Sequence, residues 1–254
     1  MTRTNSRYGW VPDLPDQRDF SFAAPPAVAA NLPPAVDLTS HCPPVYDQGQ
    51  LGSCTGNGVA GVMQFDALKE ALPDTSTPSR LFIYYNERVI EGTVASDSGA
   101  QIRDGIKTVA ATGVCDETLW PYDITQFALK PPAACYTAAQ GQRAIVYSRV
   151  SQTLSQFKGC LASGYPIVFG FTVYESFESA AVASTGMVPM PAANESVIGG
   201  HCVMAVGYDD ATQRFTIRNS WGTGWGLAGY ATMPYTYLLS HSLASDFWTV
   251  RSTS

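Results

Sequence analysis

Two residues near position 50 have the types and spacing that acyl transfer to a thiolate requires. Cys54 ends the stretch DQGQLGSC, and apolar residues then recur at helical spacing, which predicts that Cys54 begins a helix. The free N–H groups and the dipole at a helix N-terminus stabilise a thiolate, the reactive form of cysteine. Gln48, earlier in the same stretch, could donate a side-chain N–H to a developing oxyanion beside the N–H of Cys54.

A thiolate nucleophile also needs a base, and the chain has three histidines. His41 and His241 lie in loop-like stretches, whereas His201 follows two glycines at the head of an apolar strand. Asn219 follows the strand RFTI, and its side-chain oxygen could accept a hydrogen bond from the histidine Nδ1–H and fix the tautomer. Trp221, in NSWG, could shield that bond from water. Taken singly, these residues also suit a packed thiol, a structural histidine and a glycine-rich turn.

The elements that must position these residues change type along the chain. Apolar spacing predicts mostly helices first, and short β-branched and aromatic runs predict strands later. This order indicates an α+β protein of two lobes. The predicted helices are 54–72, 79–91, 99–112 and 151–164, and the predicted strands are 144–150, 166–174, 201–209, 214–221, 229–233 and 246–250.

Residues 1–31 have the composition of an extended arm. The stretch FAAPPAVAANLPP is rich in Pro and Ala and is interpreted as a linker. Four aromatic residues precede or open it, and we expect them to dock on the rest of the protein, which would order the arm. They are Tyr8, Trp10, Phe20 and Phe22.

Composition excludes several classes of protein. The 254 residues are 45% hydrophobic, enough for a substantial core in one large or two small domains. The formal charge of −6, without a basic cluster, argues against nucleic-acid binding. No apolar run approaches the roughly 20 residues that span a bilayer. The first twenty residues show no signal peptide, which leaves a cytoplasmic location and export by another route both open.

In combination, the stretches that contain Cys54, His201 and Asn219 resemble those of the papain-like cysteine peptidases, the C1 family. The arm YGWVPDLPDQRDF and the ending ASDFW resemble the bacterial, xylellain-like members. The resemblance covers about residues 33–250 and implies a papain-like two-lobe fold in a peptidase domain of residues 32–254. A helical lobe would occupy about 41–140, and an antiparallel β-barrel-like lobe about 141–254. The matching stretches are DQGQLGSC (47–54), GGHCVMAVGY (199–208) and RNSWGTGWG (218–226).

The resemblance implies a role for each matched residue. Cys54 would be the nucleophile, His201 the base and acid, Asn219 the orienting residue and Gln48 the oxyanion donor. Seven further residues would line the substrate cleft. Gly170 and Cys202 would form walls of an apolar S2 pocket, and Trp221 would place its indole over the His–Asn pair. The other four are Gly99, Ala100, Gln101 and Ile102. The implied reaction is hydrolysis of peptides or proteins through a thioester, by a monomer that needs no metal or organic cofactor.

The sequence departs from the family pattern at two positions near the nucleophile. Leu51 stands where the family often has a disulfide cysteine, and Thr55 replaces the aromatic residue after the nucleophile. The usual disulfide cannot form there, and pairing of Cys115 with Cys135 stays open. Two functional alternatives also stay open. A Cys–His acyltransferase is disfavoured by Asn219, and a catalytically silent binding module would be expected to have lost these residues.

The arm calls for its own prediction. Family prosegments that block the cleft are usually longer than residues 1–31 and largely helical. We expect this arm to pack along both lobes and partly cover the cleft, while a surface strap that only adds stability is the alternative.

Overall fold

The computed structural model describes residues 7–144 and 146–251. Its first half is helical, as the apolar spacing predicts, with α2 (Cys54–Lys69), α3 (Arg80–Glu91) and α4 (Ile102–Ala111). Ser79 caps α3 by accepting a hydrogen bond from the N–H of Phe82, and Gly92 ends that helix with φ of 71°. Each of these helices ends within a few residues of its predicted limit.

Helix α2 is buried on all sides over nearly its whole length. Glycines in α2 allow α3 and the sheet to approach the helix closely. A Cβ at Gly56 would lie 2.8 Å from the Arg80 carbonyl oxygen, and one at Gly58 would lie 2.9 Å from Cys202 Sγ. Helix α2 is therefore wedged between α3 on one side and the sheet on the other, which places its N-terminus where the two halves meet.

The second half supplies six strands of a seven-stranded antiparallel sheet, in the order β2-β7-β3-β4-β5-β6, and β1 from the first half pairs with β4 off this path. The sheet is open, so the expected barrel-like lobe is present only as a curved antiparallel layer without closure. Strand β4 begins four residues before its predicted start because its glycines still pair with β3. The strands are β1 (Ala35–Asp37), β2 (Val146–Arg149), β3 (Ile167–Tyr174), β4 (Val197–Asp209), β5 (Arg214–Arg218), β6 (Tyr230–Pro234) and β7 (Ala244–Arg251).

Short helices complete the fold. The linker prediction was incomplete, because the stretch after Phe22 contains α1 (Pro26–Ala30), which Pro25 and Pro26 begin. Only α6 among the others was predicted. These remaining helices are α5 (Ala133–Ala139), α6 (Leu154–Ala162), α7 (Ala180–Thr185) and α8 (Tyr235–Leu239).

The arm is ordered from residue 7, and its first six residues lie outside the described part. Three of the four predicted anchors, Tyr8, Trp10 and Phe22, are buried. The prediction was wrong for Phe20, which is 69% exposed and has its ring 6.5 Å from that of Tyr147, centroid to centroid.

The described residues answer two questions raised by the sequence: whether the cysteines form disulfides and whether a helix could span a membrane. None of the six cysteines forms a disulfide, and Cys115 and Cys135 lie side by side without one. Burial, followed by the neighbouring thiol, raises the pKa of Cys115. Across residues 7–144 and 146–251, no helix combines the length and apolar character needed to cross a bilayer.

Candidate active site

The predicted nucleophile and base come from opposite halves of the fold. Cys54 is the first residue of α2 and is fully buried. His201 lies on β4, and its neighbour Cys202 packs against Gly58, one turn into α2. Because adjacent strand residues point to opposite faces, Cys202 packs against α2 while the His201 side chain lies on the other face of β4, beside Trp221 and Tyr8.

His201 is oriented by Asn219, as the sequence predicts, but through the other ring nitrogen. Strands β4 and β5 are paired, so Asn219 follows β5 within reach of His201. Its Oδ1 lies 2.8 Å from His201 Nε2, not Nδ1. Nδ1 is buried and has no hydrogen-bond partner among the described residues. It is therefore the nitrogen available to exchange a proton with a thiol.

An aromatic shell covers this pair. The Trp221 ring lies 4.9 Å from the His201 ring, centroid to centroid, at 32°. Phe177 and Trp225 pack on Trp221 from its outer side, with centroids 5.5 and 5.4 Å away. The predicted shielding of the His201–Asn219 hydrogen bond is thus present, and it removes water that would compete for that bond.

Gln48 is held in one orientation by a residue that sequence reasoning missed. Ser220 donates its hydroxyl to Gln48 Oε1 at 2.6 Å, and the Ser220 carbonyl accepts the Gln48 backbone N–H at 2.9 Å. The amide nitrogen must then face the other way. It donates to the carbonyl oxygens of Leu51 and Arg7, each at 2.9 Å. The position of Ser220 within NSWG was the available signal.

The second partner of Gln48 belongs to the arm, which runs through the cleft as an extended strand. The Ala100 N–H donates to the Gly9 carbonyl at 2.8 Å, and the Val11 N–H donates to the Ala100 carbonyl at 3.0 Å. Trp10 therefore pairs with Ala100 in parallel. On the other side, the Trp10 N–H donates to the Gly200 carbonyl at 3.1 Å. The arm thus joins the backbones of both halves.

Glycines make this close approach possible. A Cβ at Gly9 would lie 1.7 Å from the Gly52 carbonyl oxygen, and a Cβ at Gly99 would lie 2.1 Å from the Gly9 carbonyl oxygen. Gly99 also has φ of 73°, which glycine adopts without strain. The backbone at Gly52, Gly9 and Gly99 is therefore in direct contact, with no side chain between the layers.

The side chain of Trp10 fills a pocket in the β half. A Cβ at Gly170 would lie 2.0 Å from the indole ring, and one at Gly200 would also meet it. The indole Nε1–H donates to Asp246 Oδ2 at 3.1 Å. Of the predicted pocket residues, Gly170 is thus beneath the arm, while the described contacts of Cys202 are with α2.

Tyr8 covers the imidazole. Its ring packs on Gly199 and lies 6.0 Å from the His201 ring, and its hydroxyl donates to Glu178. Burial lowers the pKa of His201 to about 4, the hydrogen bond with Asn219 opposes this shift, and the positive charge of Arg7 adds to it. With the arm in place, His201 is neutral near pH 7.

The remaining predicted cleft residues have different surroundings. Gln101 precedes α4, and its Oε1 accepts the Leu14 N–H of the arm at 3.1 Å. Ile102 is fully buried in the core. The site therefore brings together Gly99, Ala100 and Gln101 along the arm but turns Ile102 inward.

The two departures from the family pattern also have local explanations. Leu51 is buried, and its carbonyl accepts from Gln48, so the loop is closed by packing where a disulfide is missing. Thr55 Oγ1 donates to Glu87 Oε1 at 2.6 Å, beneath the first turn of α2. Complete burial raises the pKa of Glu87 well above its usual range, and its hydrogen bond with Thr55 ties α3 to α2.

A thiol at a helix start, an imidazole held by an amide oxygen and an oriented amide donor are the groups that a thiol hydrolase uses. Comparison with known proteins identifies the protein family directly. The profile of the papain family cysteine proteases matches residues 32–240, so the chain belongs to that family and is a cysteine-type peptidase. Its substrates are accordingly proteins or peptides.

Individual relatives match most or all of the chain. The crystal structure of xylellain, a cysteine protease from Xylella fastidiosa, is 46% identical, with a TM-score of 0.93, and covers 100% of this chain and 99% of that chain. A peptidase C1-like protein of Acanthamoeba polyphaga mimivirus is 42% identical over 278 residues, covering 100% of this chain and 89% of its own length. Cathepsin K of Gallus gallus is 26% identical over 215 residues, 82% and 60% of the respective chains.

Proposed function

We propose that the protein is a cysteine endopeptidase that cleaves peptide bonds through Cys54, His201, Asn219 and Gln48, and that its arm restricts the cleft. One observation carries the proposal. The Gln48 amide, oriented by Ser220, donates to a peptide carbonyl that lies in the cleft, that of Arg7. This carbonyl stands in for the one that a substrate presents, and a donor held in advance is what an oxyanion needs.

In the proposed reaction, the Cys54 proton passes to His201 Nδ1, and the thiolate attacks the substrate carbonyl carbon. The new S–C bond moves the carbonyl electrons onto oxygen, where Gln48 Nε2–H and the Cys54 N–H stabilise the charge. The C–N bond then breaks, and Nδ1–H protonates the amine that leaves. Water, deprotonated by His201, attacks the thioester and releases the acid and the Cys54 thiol.

The arm restricts the cleft without being a substrate. From N- to C-terminus it passes from Gln48 and His201 toward Ala100 and Gly170. If Ala100 and Gly170 bind the residues that precede the scissile bond, as the family resemblance implies, the arm runs opposite to a substrate. The backbone of the arm then fills the cleft, but its peptide bonds run opposite to those of a substrate and are wrongly oriented for attack by the thiol.

Turnover of a fluorogenic dipeptide amide by the full chain tests the proposal. We expect hydrolysis with burst formation of an acyl-enzyme, and we expect Cys54→Ala to abolish both. Cys160→Ala is the matched control, because Cys160 is an equally buried thiol on α6, away from the cleft.

Product analysis separates the alternatives. Release of free acid supports a peptidase, and exclusive formation of an amide with an added amine would support an acyltransferase. No turnover by any chain, including arm variants that open the cleft, would support a silent binding module and would overturn the proposal.

A further inference from the structure

The pocket occupied by Trp10 has a carboxylate at its inner end, and this feature is separate from the catalytic residues. Asp246 is 4% exposed and lies on β7. Its Oδ2 accepts the Trp10 indole N–H at 3.1 Å and the Asp13 backbone N–H at 2.8 Å. Its Oδ1 accepts from Arg149 Nη2 at 3.0 Å. Both partners of Oδ2 belong to the arm.

The backbone at Asp246 is shaped to direct this side chain. Its φ is 58°, a left-handed conformation that is unusual inside a strand. The register between β3 and β7 shifts here: Val168 pairs with Trp248, and Gly170 pairs with Ser245, so β7 has one extra residue. A bulge of this kind re-aims a side chain, and strained backbone is retained where the surroundings fix it.

The rest of the pocket is made of backbone. A Cβ at Gly170 or Gly200 would overlap the indole, so the two glycines create the space for a large flat ring. Among the residues that the structure describes, Asp246 is the polar side chain that meets the indole nitrogen. The pocket thus combines flat walls for an aromatic ring with one hydrogen-bond acceptor at its end.

The charges around Asp246 change when the arm leaves. With the arm docked, Arg149 also pairs with Asp13 at 3.1 Å and Asp19 at 3.3 Å, and Arg103 pairs with Asp19. Release of the arm removes the Asp13 and Asp19 carboxylates. Arg149 then remains paired with Asp246 at 3.0 Å, so the carboxylate at the end of the pocket is already neutralised, which disfavours a cationic side chain.

We propose that Asp246 determines specificity: it selects a neutral aromatic side chain with a ring N–H or O–H donor, above all an indole, in the pocket that Trp10 fills. This inference rests on the proposed function, because it treats that pocket as part of the substrate cleft. A substrate indole would restore the hydrogen bond that Oδ2 loses when the arm leaves. An aliphatic or phenyl side chain would leave a buried acceptor unpaired.

The test uses the full chain carrying Trp10→Ala, which empties the pocket. Fluorogenic peptide amides differ only at the residue occupying the pocket, the second before the scissile bond: tryptophan, benzothienylalanine, leucine or arginine. Benzothienylalanine has the size of tryptophan with sulfur in place of N–H. We expect kcat/KM for tryptophan to exceed that for benzothienylalanine by about 10- to 100-fold, the usual range for a lost hydrogen bond to a charged acceptor.

Calorimetry measures binding of the same four peptides, without a leaving group, to the chain carrying Trp10→Ala and Cys54→Ala. The ratio of affinities for tryptophan and benzothienylalanine should equal the ratio of their kcat/KM values. Addition of Asp246→Ala should reduce the ratio to within about threefold. Equal values for tryptophan and benzothienylalanine, or a preference for arginine, would overturn the inference. Hydrolysis without the preference rejects the inference alone, whereas the binding preference without any hydrolysis rejects the proposed function alone.

Discussion

Replacement of Trp10 by alanine should release the arm and raise peptidase activity. The indole is 6% exposed and fills its pocket, so its loss removes the side chain that anchors the arm against Gly170 and Gly200. Burying an aromatic side chain of roughly 150–250 Å² is worth about 4–6 kcal/mol, and measured Trp→Ala changes in cores are about 3–5 kcal/mol. At about 3 kcal/mol, the ratio of released to docked arm rises about 150-fold.

Two assays follow this change. Initial rates on a fluorogenic dipeptide amide should rise until release of the arm is complete. Iodoacetamide at pH ~6, where an ordinary thiol of pKa ~8.5 is protonated, should label Cys54 in the Trp10→Ala chain far faster than in the unsubstituted chain. Leu14→Ala is the matched control, since Leu14 is an arm residue whose side chain is 70% exposed.

The reasoning fails if kcat/KM of the Trp10→Ala chain stays within twofold of the unsubstituted chain while both hydrolyse the substrate. The arm would then be a strap that adds stability. Labelling of Cys42, which is partly exposed, with Cys54 left unmodified in every variant, would argue against Cys54 as the nucleophile.

Three further predictions follow from the same contacts. Ser220→Ala frees the Gln48 amide to rotate, so kcat should fall roughly tenfold with a smaller change in KM, measured by steady-state kinetics; an unchanged kcat contradicts the orienting role. Mass spectrometry of the stored chain should find the bond after Arg7 intact, and cleavage there would mean that the arm binds as a substrate. Asp13→Asn should make docking of the arm sensitive to acid, which amide protection factors of the arm can measure. Protonation of His201 between pH about 6.5 and 4 favours release of the arm, because docking lowers the His201 pKa. In the unsubstituted chain, protonation of Asp13 favours the docked arm and opposes this release, because docking raises the Asp13 pKa.

Much of this site follows from local sequence signals. A helix beginning at Cys54 follows from apolar spacing after a glycine-rich loop, and the pairing of β4 with β5 follows from two adjacent apolar runs. The sequence argument assigned the Asn219 hydrogen bond to Nδ1 of His201, and the structure shows that it is made by Nε2. The spacing of the two residues along the chain is compatible with either ring nitrogen, so the choice depends on how the side chains lie in three dimensions.

Other features depend on contacts between distant parts of the chain. Strand β1 is three residues long, too short for alternation to show, and it exists because β4 offers a free edge. Phe20 and Trp10 have similar hydrophobicity, yet only Trp10 meets a pocket of suitable depth. Asp246 reads as one polar residue in an apolar strand, and its role emerges only from the bulge that turns it inward.

If Cys54 is the nucleophile, as proposed, the docked arm must resist cleavage, and its contacts give a physical reason. The Arg7 carbonyl already receives the Gln48 hydrogen bond, so an oxyanion donor alone does not suffice. The same docking buries His201 and brings the charge of Arg7 near it, which lowers the His201 pKa and disfavours the imidazolium that a thiolate needs as its partner. Arm binding and catalytic activation therefore compete for the protonation state of one residue, and release of the arm restores both access to the cleft and the basicity of His201.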